Sequence, residues 1–177
     1  MTTFTYLNKD EKEKFLPILF DLLYENMREI TPTDLTYEQE KTHWLGNVSP
    51  ALDKPARQIM MCLADEKLIG YIQYYTSNKL LMIEELQLKH EYHCTLTFYR
   101  LCKYFISTLP ADIEYVEAFA EKRNNNSQKL MQKLGMKFID SNSFFIHLRG
   151  NANEIKTDLY IKAVYAFTAY TAFSFIS

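Results

Sequence analysis

The chain has 177 residues, of which 47% are hydrophobic and 24% are charged, values typical of one soluble globular domain rather than two. A formal net charge of −2 gives no general attraction to nucleic acid or to membranes, and no basic stretch with interleaved aromatic residues is present. The four glycines lie near element boundaries or within a strand, which excludes a glycine-rich phosphate loop and a dinucleotide fingerprint.

The cysteines and the N-terminus predict where the protein works. Cys62, Cys94 and Cys102 cannot all pair, and their spacings match no zinc-binding pattern, so we expect the reducing cytoplasm. The first residues carry charges where a signal peptide needs its apolar run, so no export is expected. The histidines show no metal-ligand spacing either, and we predict no metal site.

The chain begins with a strand candidate at residues 4–7, followed by a helix. Asp10 is placed to cap that helix. Pro17 lies inside the helical pattern, where it either kinks the helix or delays its start. The apolar face of the helix carries Phe15, Ile18, Leu19, Leu22 and Leu23.

A capping-box pattern marks the second helix. Thr36 and Gln39 have the spacing of this motif and open a short helix over residues 37–45. Gly46 follows directly and predicts the helix end. Residues 49–55, with two prolines, are predicted to form a loop.

Three strands follow, at residues 57–64, 68–76 and 80–89, and short turns join them. They predict an antiparallel meander. Gly70 lies inside the second of these strands, where a glycine predicts a bulge or a close approach of another backbone.

Beyond the meander, helices and strands alternate. We predict a helix at 95–109, a strand at 113–120, a helix at 124–134 that ends before Gly135, and strands at 136–140 and 143–148. One stripe of the first of these helices is apolar and must pack on the sheet: Phe98, Leu101, Cys102, Phe105, Ile106 and Leu109. Because this helix separates them, strands 80–89 and 113–120 should pair in parallel. The pattern predicts one α+β domain over residues 1–150.

The C-terminal tail, residues 151–177, has a different composition. Its last fifteen residues carry no charge and are rich in aromatic residues, Thr and Ala. As a helix they would span about 22 Å, less than the ~30 Å hydrocarbon core of a bilayer, which disfavours a membrane span. We expect the tail to be buried against the domain or against a second copy in a homodimer, and its conformation stays open.

The order of elements and one sequence string resemble the GNAT superfamily of acyl-CoA-dependent N-acetyltransferases. The string runs from Asn124 through Ser127 to Lys133-Leu134-Gly135-Met136. The resemblance covers roughly residues 4–148. It implies a mixed, mostly antiparallel sheet with helices on both faces and a central parallel strand pair that splays apart. It also implies acetyl-CoA as co-substrate and a primary amine of a small molecule or peptide as acceptor.

The resemblance implies where acetyl-CoA would bind. The pantetheine arm would contact backbone groups of the strand at Leu86, Gln87 and Leu88, and the side chains of Asn124 and Ser127. The pyrophosphate would rest on the turn that opens the next helix, formed by His93, Cys94, Thr95, Leu96, Thr97 and Phe98. A helix N-terminus attracts phosphate through its unpaired amides and its dipole. The alternative for Asn124 is a plain helix cap, and both roles are compatible.

This turn departs from the family pattern Gln/Arg-x-x-Gly-x-Gly/Ala. The two small positions are occupied by Leu96 and Phe98, although glycine is used where backbone must approach a ligand closely. Phe98 belongs to the sheet-facing stripe, so its ring should pack inward and leave its amide free. Leu96 lies off that stripe and is the expected obstruction. The alternative interpretation is a capped helix without a ligand.

Acyl transfer to an amine needs a base that takes the amine proton. Glu84 and Glu85 are adjacent on one strand, so regular alternation predicts that they point to opposite faces. We assign Glu85 as the base, on the open side with Gln87, and Glu84 as the second candidate. A bulge would exchange them. In the family a Tyr often protonates the leaving thiolate, and its position here is Met131.

Other side chains complete the predicted site. Tyr75 or Tyr92 could replace the missing acid, and Trp44 and Tyr75 are candidates for contact with the acceptor. Cys94 lies near a helix N-terminus, which can lower the pKa of a thiol, but no His or Asp is placed to make it a nucleophile. Three functions remain open: an acetyltransferase, a catalytically inactive binding or regulatory module of the same fold, and a binder of another acyl or nucleotide ligand.

Overall fold

The computed structural model describes residues 1–93 and 95–159. The strands in these ranges are β1 (Thr2–Tyr6), β2 (Arg57–Ala64), β3 (Lys67–Ser77), β4 (Leu80–Leu88), β5 (Tyr115–Glu121), β6 (Lys137–Ser141) and β7 (Phe145–Asn151). The helices are α1 (Lys12–Met27), α2 (Tyr37–Ala51), α3 (Leu96–Thr108), α4 (Asn125–Lys133) and α5 (residues 152–159). Cys94 and the uncharged tail lie outside the described residues.

The described strands form one sheet of mixed direction, in the order β1-β2-β3-β4-β5-β7-β6. All neighbouring pairs are antiparallel except β4 and β5, which are parallel. This architecture confirms the predicted single-domain α+β fold and the predicted parallel pair.

Tight turns fix the register of the β2–β3–β4 meander. Asp65 and Glu66 have φ values of 47° and 66°, and Asn78 and Lys79 have φ values of 46° and 66°. Two successive residues with positive φ are typical of the type I′ turn, whose twist matches that of a hairpin. The two hairpins predicted between residues 57 and 89 are therefore confirmed.

Alternation along the strands divides the core between the two faces of the sheet. On one face α3, α4 and α5 cover a large apolar cluster that includes Ile72, Leu81, Phe105, Val116 and Leu148. On the other face α1 and α2 cover a smaller cluster built from Leu19, Leu22, Val48, Ile59, Met61 and Tyr71. We refer to these as the α3 face and the α1/α2 face. The predicted inward stripe of α3 is confirmed, since Phe98, Leu101, Cys102, Phe105 and Ile106 are all buried.

Helix boundaries in the first half differ from the prediction. Asp10 does not cap α1, which has no side-chain hydrogen bond at its start. Asn8 instead caps a short 3-10 turn, Lys9–Glu11, that precedes α1, and it accepts a hydrogen bond from the amide of Asp10. Ile18, predicted on the apolar face of α1, is 44% exposed. Pro17 lies within α1.

The second helix starts as predicted but is longer. The Thr36–Gln39 capping box is present. The helix then continues through Gly46 to Ala51, because Val48 in its last turns and Leu52 at its C-cap are buried in the α1/α2 core. This burial outweighs the cost of a helical glycine, about 1 kcal/mol.

Gly70 shows both predicted features. The register shifts beside it, where Cys62 pairs with Gly70 and Leu63 pairs with Leu68. A Cβ at position 70 would lie 2.7 Å from the Gln87 carbonyl oxygen and 3.2 Å from the Leu88 Cα. The backbone of β4 therefore leaves no room for a side chain here.

We expect Gly70→Ala to destabilise the fold by about 1–3 kcal/mol, because β3 and β4 must separate to admit the methyl group. Urea denaturation of the variant measures this loss. Gly46→Ala is the matched control, since a Cβ there meets nothing within 4 Å. In a helix, alanine at that position should raise stability by up to about 1 kcal/mol. An unchanged midpoint for Gly70→Ala would contradict the close approach.

Candidate functional site

The parallel strands β4 and β5 part in the middle of the sheet. They pair from Leu80 opposite Tyr115 to Ile83 opposite Ala118. Beyond that point β4 continues for five residues and β5 for three, without pairing to each other. The result is a gap at the centre of the sheet, with the N-termini of α3 and α4 following the two diverging strand ends.

A β-bulge lies where β4 and β5 part. Gln73 of β3 pairs with Glu85 and Tyr74 pairs with Ile83, so Glu84 is the extra residue. The predicted opposite orientation of the two glutamates is wrong, because the bulge interrupts the alternation on which it rested. Both carboxylates contact side chains of the α1/α2 face.

Glu85 is half-buried and has hydrogen-bond partners of its own. The Trp44 indole Nε1–H donates to Glu85 Oε1 at 2.8 Å, and the Tyr71 hydroxyl donates to Oε2 at 2.5 Å. Burial raises the pKa of Glu85, while the two hydrogen bonds lower it and the neighbouring Glu84 raises it. The pKa of Tyr71 is raised as well, first by burial and then by the charge of Glu85. The net effect is a raised pKa for Glu85, closer to neutral pH, which suits a proton acceptor.

Glu84 is held by an ion pair and an amide. Arg57 donates to Glu84 Oε1, and Gln73 Nε2 donates to Oε2 at 3.1 Å. The guanidinium carbon of Arg57 lies 5.2 Å from the centre of the Tyr75 ring, in the range of a cation–π contact. Tyr75 therefore lies on the same face as the two carboxylates, consistent with its predicted place beside the acceptor.

The connection between α1 and α2 reaches across the gap on this face. The Thr31 hydroxyl, just after α1, donates to the carboxylate of Glu121 at the end of β5. On the β4 side of the gap, Asn26 of α1 donates through Nδ2 to Gln87 Oε1 and to the Leu88 carbonyl oxygen, each at 3.0 Å. These contacts bound the gap on the α1/α2 face. They also show that the Leu88 carbonyl, a predicted cofactor contact, already has a donor.

The turn before α3 is not capped by a side chain. The Thr95 hydroxyl donates to the Tyr92 carbonyl at 2.7 Å, and no side-chain bond caps the helix. The amides of Leu96 and Thr97 have no partner among the residues that the structure describes. Phe98 packs inward as predicted, but its amide donates to the Thr95 carbonyl at 3.2 Å. The prediction that the Phe98 amide is free is therefore wrong.

Two further predicted residues flank this turn. His93 Nε2 lies 2.7 Å from the Leu88 carbonyl oxygen, so its side chain folds back onto β4. Leu96 is half-buried in the first turn of α3. Leu86 faces the α3 side, where it lines an apolar cavity of about 40 Å³ together with Ile83 and Val116 of the splayed strands.

Asn124 caps α4 and retains a free donor. Its Oδ1 accepts a hydrogen bond from the Ser127 amide at 3.0 Å. This contact fixes the amide orientation, since only the oxygen can accept from an N–H group. The Nδ2 group has no partner within the described part of the chain, so the cap and a ligand contact are compatible. Met131, at the position of the family's acid, packs against the α3-face core.

A second carboxylate cluster lies on β5, β6 and β7 and offers no free base. Glu117 is buried and pairs with Arg149, and its Oε2 lies 2.9 Å from His147 Nε2. The other ring nitrogen of His147 lies 3.3 Å from Asp140 Oδ1. Because both nitrogens face carboxylates, His147 is committed to this cluster. No group of metal-ligating side chains is found among the described residues.

Comparisons with known proteins bear on this geometry. No protein-family model and no curated protein sequence matches the chain significantly. Among solved structures, the PaiA N-acetyltransferase of Thermoplasma acidophilum, in complex with coenzyme A, superposes with a TM-score of 0.67 at 15% identity, covering 85% of this chain and 99% of that one. An acetyltransferase of the GNAT family from Staphylococcus aureus Mu50 gives 0.62 at 13% identity, with 86% and 99% covered. The Campylobacter jejuni N-acetyltransferase PseH, in complex with acetyl coenzyme A, gives 0.54 at 17% identity, with 85% and 99% covered.

The chain has the GNAT fold. At these identities the likeness concerns the backbone, and the GNAT architecture confirms the predicted fold class. The assignment of individual site residues rests on their geometry in this chain. No helix within residues 1–93 and 95–159 is long and apolar enough to cross a membrane.

Sequence reasoning missed four residues that hold the two carboxylates and Gln87: Asn26, Arg57, Tyr71 and Gln73. Alternation along β3 could have found two of them, since Tyr71, Gln73 and Tyr75 share a face. The hairpin register places Arg57 opposite Tyr75. Nothing in the sequence marks Asn26, which reaches β4 from the last turns of α1.

Proposed function

We propose that this protein is an N-acetyltransferase that moves an acetyl group from acetyl-CoA to a primary amine of a small molecule or peptide. One observation carries the proposal: the parallel strands of a GNAT fold part beside a half-buried carboxylate, Glu85, that two side chains hold in place. The acceptor would approach from the α1/α2 face, where Trp44 and Tyr75 lie next to the two glutamates.

Some of the groups at the gap are suited to binding acetyl-CoA, and others already have hydrogen-bond partners. The amides of Leu96 and Thr97, which have no partner among the described residues, are suited to phosphate at the N-terminus of α3. The Asn124 Nδ2 group and Ser127 are suited to the amide groups of a pantetheine arm, as is the β4 edge at Leu86 and Gln87. The Phe98 amide and the Leu88 carbonyl already have partners. His93 and Leu96 would border the phosphates.

The chemistry follows from the placement of Glu85. As the amine nitrogen attacks the thioester carbon, Glu85 takes the proton, directly or through water. The C–N bond forms, the C–S bond breaks, and the departing thiolate needs a proton. Tyr75 is the better placed of the two candidate acids, because Tyr92 packs against the α3-face core. We also propose a cytoplasmic location, supported by the free, buried thiols of Cys62 and Cys102.

Calorimetry with acetyl-CoA tests this proposal, with Asn124→Ser as the informative variant. Serine keeps the helix cap but removes the Nδ2 donor. We expect wild type to bind and Asn124→Ser to bind about tenfold more weakly, the effect of losing one hydrogen bond of about 1.4 kcal/mol. Its melting temperature should stay close to that of wild type, whereas Asn124→Ala should lose about 1 kcal/mol of stability.

The outcomes of this calorimetry distinguish an acetyltransferase from a catalytically inactive binding or regulatory module. Absence of binding by wild type at millimolar acetyl-CoA would support the inactive binding or regulatory module. Equal affinity of wild type and Asn124→Ser would remove Asn124 from the cofactor site. The predicted homodimer contact through the uncharged C-terminal tail involves residues that lie outside the described part of the chain.

A further inference from the structure

The two carboxylates on β4 differ in their partners. Glu85 accepts hydrogen bonds from two uncharged groups, Trp44 and Tyr71. Glu84 is paired with the cation Arg57 and is also bound by Gln73. The bulge places both on the α1/α2 face as sequence neighbours, so two half-buried carboxylates lie next to each other.

Glu84 is held on both oxygens. Arg57 donates to Oε1, and the Gln73 amide nitrogen donates to Oε2. The orientation of the Gln73 amide follows from this contact, because its oxygen cannot face a carboxylate. Two buried atoms beside Glu84, Arg57 Nε and Gln73 Oε1, have no partner within the described residues. Both side chains thus give up other hydrogen bonds, a cost that needs an explanation.

We propose that Glu84, clamped by Arg57 and Gln73, is a positioning residue that contributes to setting the protonation of Glu85. The inference rests on the proposed function, in which Glu85 is the base. A fixed negative charge beside Glu85 disfavours its ionisation, and the guanidinium of Arg57 limits this effect by neutralising Glu84. The clamp fixes the orientation of the Glu84 carboxylate.

The other charged groups described on this face have partners of their own, and Glu117 on β5 pairs with Arg149. Besides Glu84, the groups that contact Glu85 are Tyr71 from β3 and Trp44 from α2. On α1 and α2, Asp21 and Lys41 pair with each other at 3.1 Å. Across the gap, Glu121 on β5 is bound by the Thr31 hydroxyl. The direction of the Glu85 pKa, raised by burial and further by Glu84, agrees with the proposed arrangement.

Carbon-13 NMR titration of the Glu85 side-chain carboxyl tests the inference directly, with the resonance assigned from Glu85→Gln. Glu84→Gln removes the neighbouring charge and should lower the titration midpoint of Glu85 by about one pH unit. Arg57→Gln leaves Glu84 unneutralised and should raise the midpoint by a similar amount. In the Glu84→Gln background the guanidinium has no carboxylate partner and acts on Glu85 directly, so Arg57→Gln should again raise the midpoint.

The same titration shows how the inference could fail. An unchanged midpoint in Glu84→Gln would overturn it, and so would a lowered midpoint in Arg57→Gln. Lys79→Gln breaks an exposed ion pair with Glu114 and should leave the midpoint unchanged. If Arg57→Gln does not fold, the direction of the midpoint shift in Glu84→Gln alone still tests the inference. The titration needs neither acetyl-CoA nor turnover, so its result is independent of whether the proposed activity is found.

Discussion

Replacement of Glu85 by Gln is expected to lower the rate of acetyl transfer by roughly 10²–10⁴-fold, the usual contribution of a general base. Gln has nearly the same size and can still accept the hydrogen bond from Trp44, but it cannot take a proton. Affinity for acetyl-CoA should be unchanged, because Glu85 faces the acceptor side. The release of free thiol from acetyl-CoA, measured with a panel of primary amines, gives the rate, and calorimetry gives the affinity.

The pH profile and a control variant make this test specific. Because burial raises the pKa of Glu85, wild-type activity should fall on acidification at a pH above the ordinary carboxyl range. Glu114→Gln removes a half-exposed carboxylate whose partner is Lys79, and it should retain the wild-type rate. Full turnover by Glu85→Gln would show that another group, or solvent alone, accepts the proton.

Replacement of Phe105 by Ala is expected to cost about 3–5 kcal/mol of unfolding free energy. Phe105 is 2% exposed in the middle of α3 and packs edge-on against Tyr74, with ring centres 4.9 Å apart. Truncation leaves a void between α3 and the sheet that rigid strands cannot close. Urea denaturation followed by circular dichroism measures the loss.

Ser107 provides a matched control on the same helix. It is exposed, and its hydroxyl bonds only to the carbonyl of Tyr104 in its own helix. Ser107→Ala should change stability by no more than about 0.5 kcal/mol. A loss below 1 kcal/mol for Phe105→Ala would mean that α3 can move to fill the space, and that its position on the sheet is not fixed by this contact.

Most of the fold could be predicted because its signals are local. The meander between residues 57 and 89 follows from alternation and two turns, and the start of α2 follows from Thr36 and its capping box. The end of α2 could not be predicted in this way. Gly46 marks a helix end locally, but burial of Val48 and Leu52 against α1 decides the outcome, and burial is a property of the assembled core.

The site could be predicted only in outline. Periodicity identified the strand with the two glutamates, and the resemblance to the GNAT superfamily implied that this strand and β5 part. Periodicity failed at the bulge, because a bulge leaves no mark in composition and depends on how Gln73 and Tyr74 pair with β4. The Phe98 amide was also misjudged, since a ring that packs inward does not prevent its backbone from closing a turn with Thr95.

Because Glu84 is an extra residue in β4, the number of residues in this strand decides how many carboxylates lie on the α1/α2 face. Deleting one residue between Ile83 and Leu86 would restore regular alternation opposite β3. A single carboxylate would then remain on the acceptor side, and Arg57 would lose its counter-ion or take the one that is left. A natural or engineered chain shortened there by one position would keep this architecture and lose its paired acids.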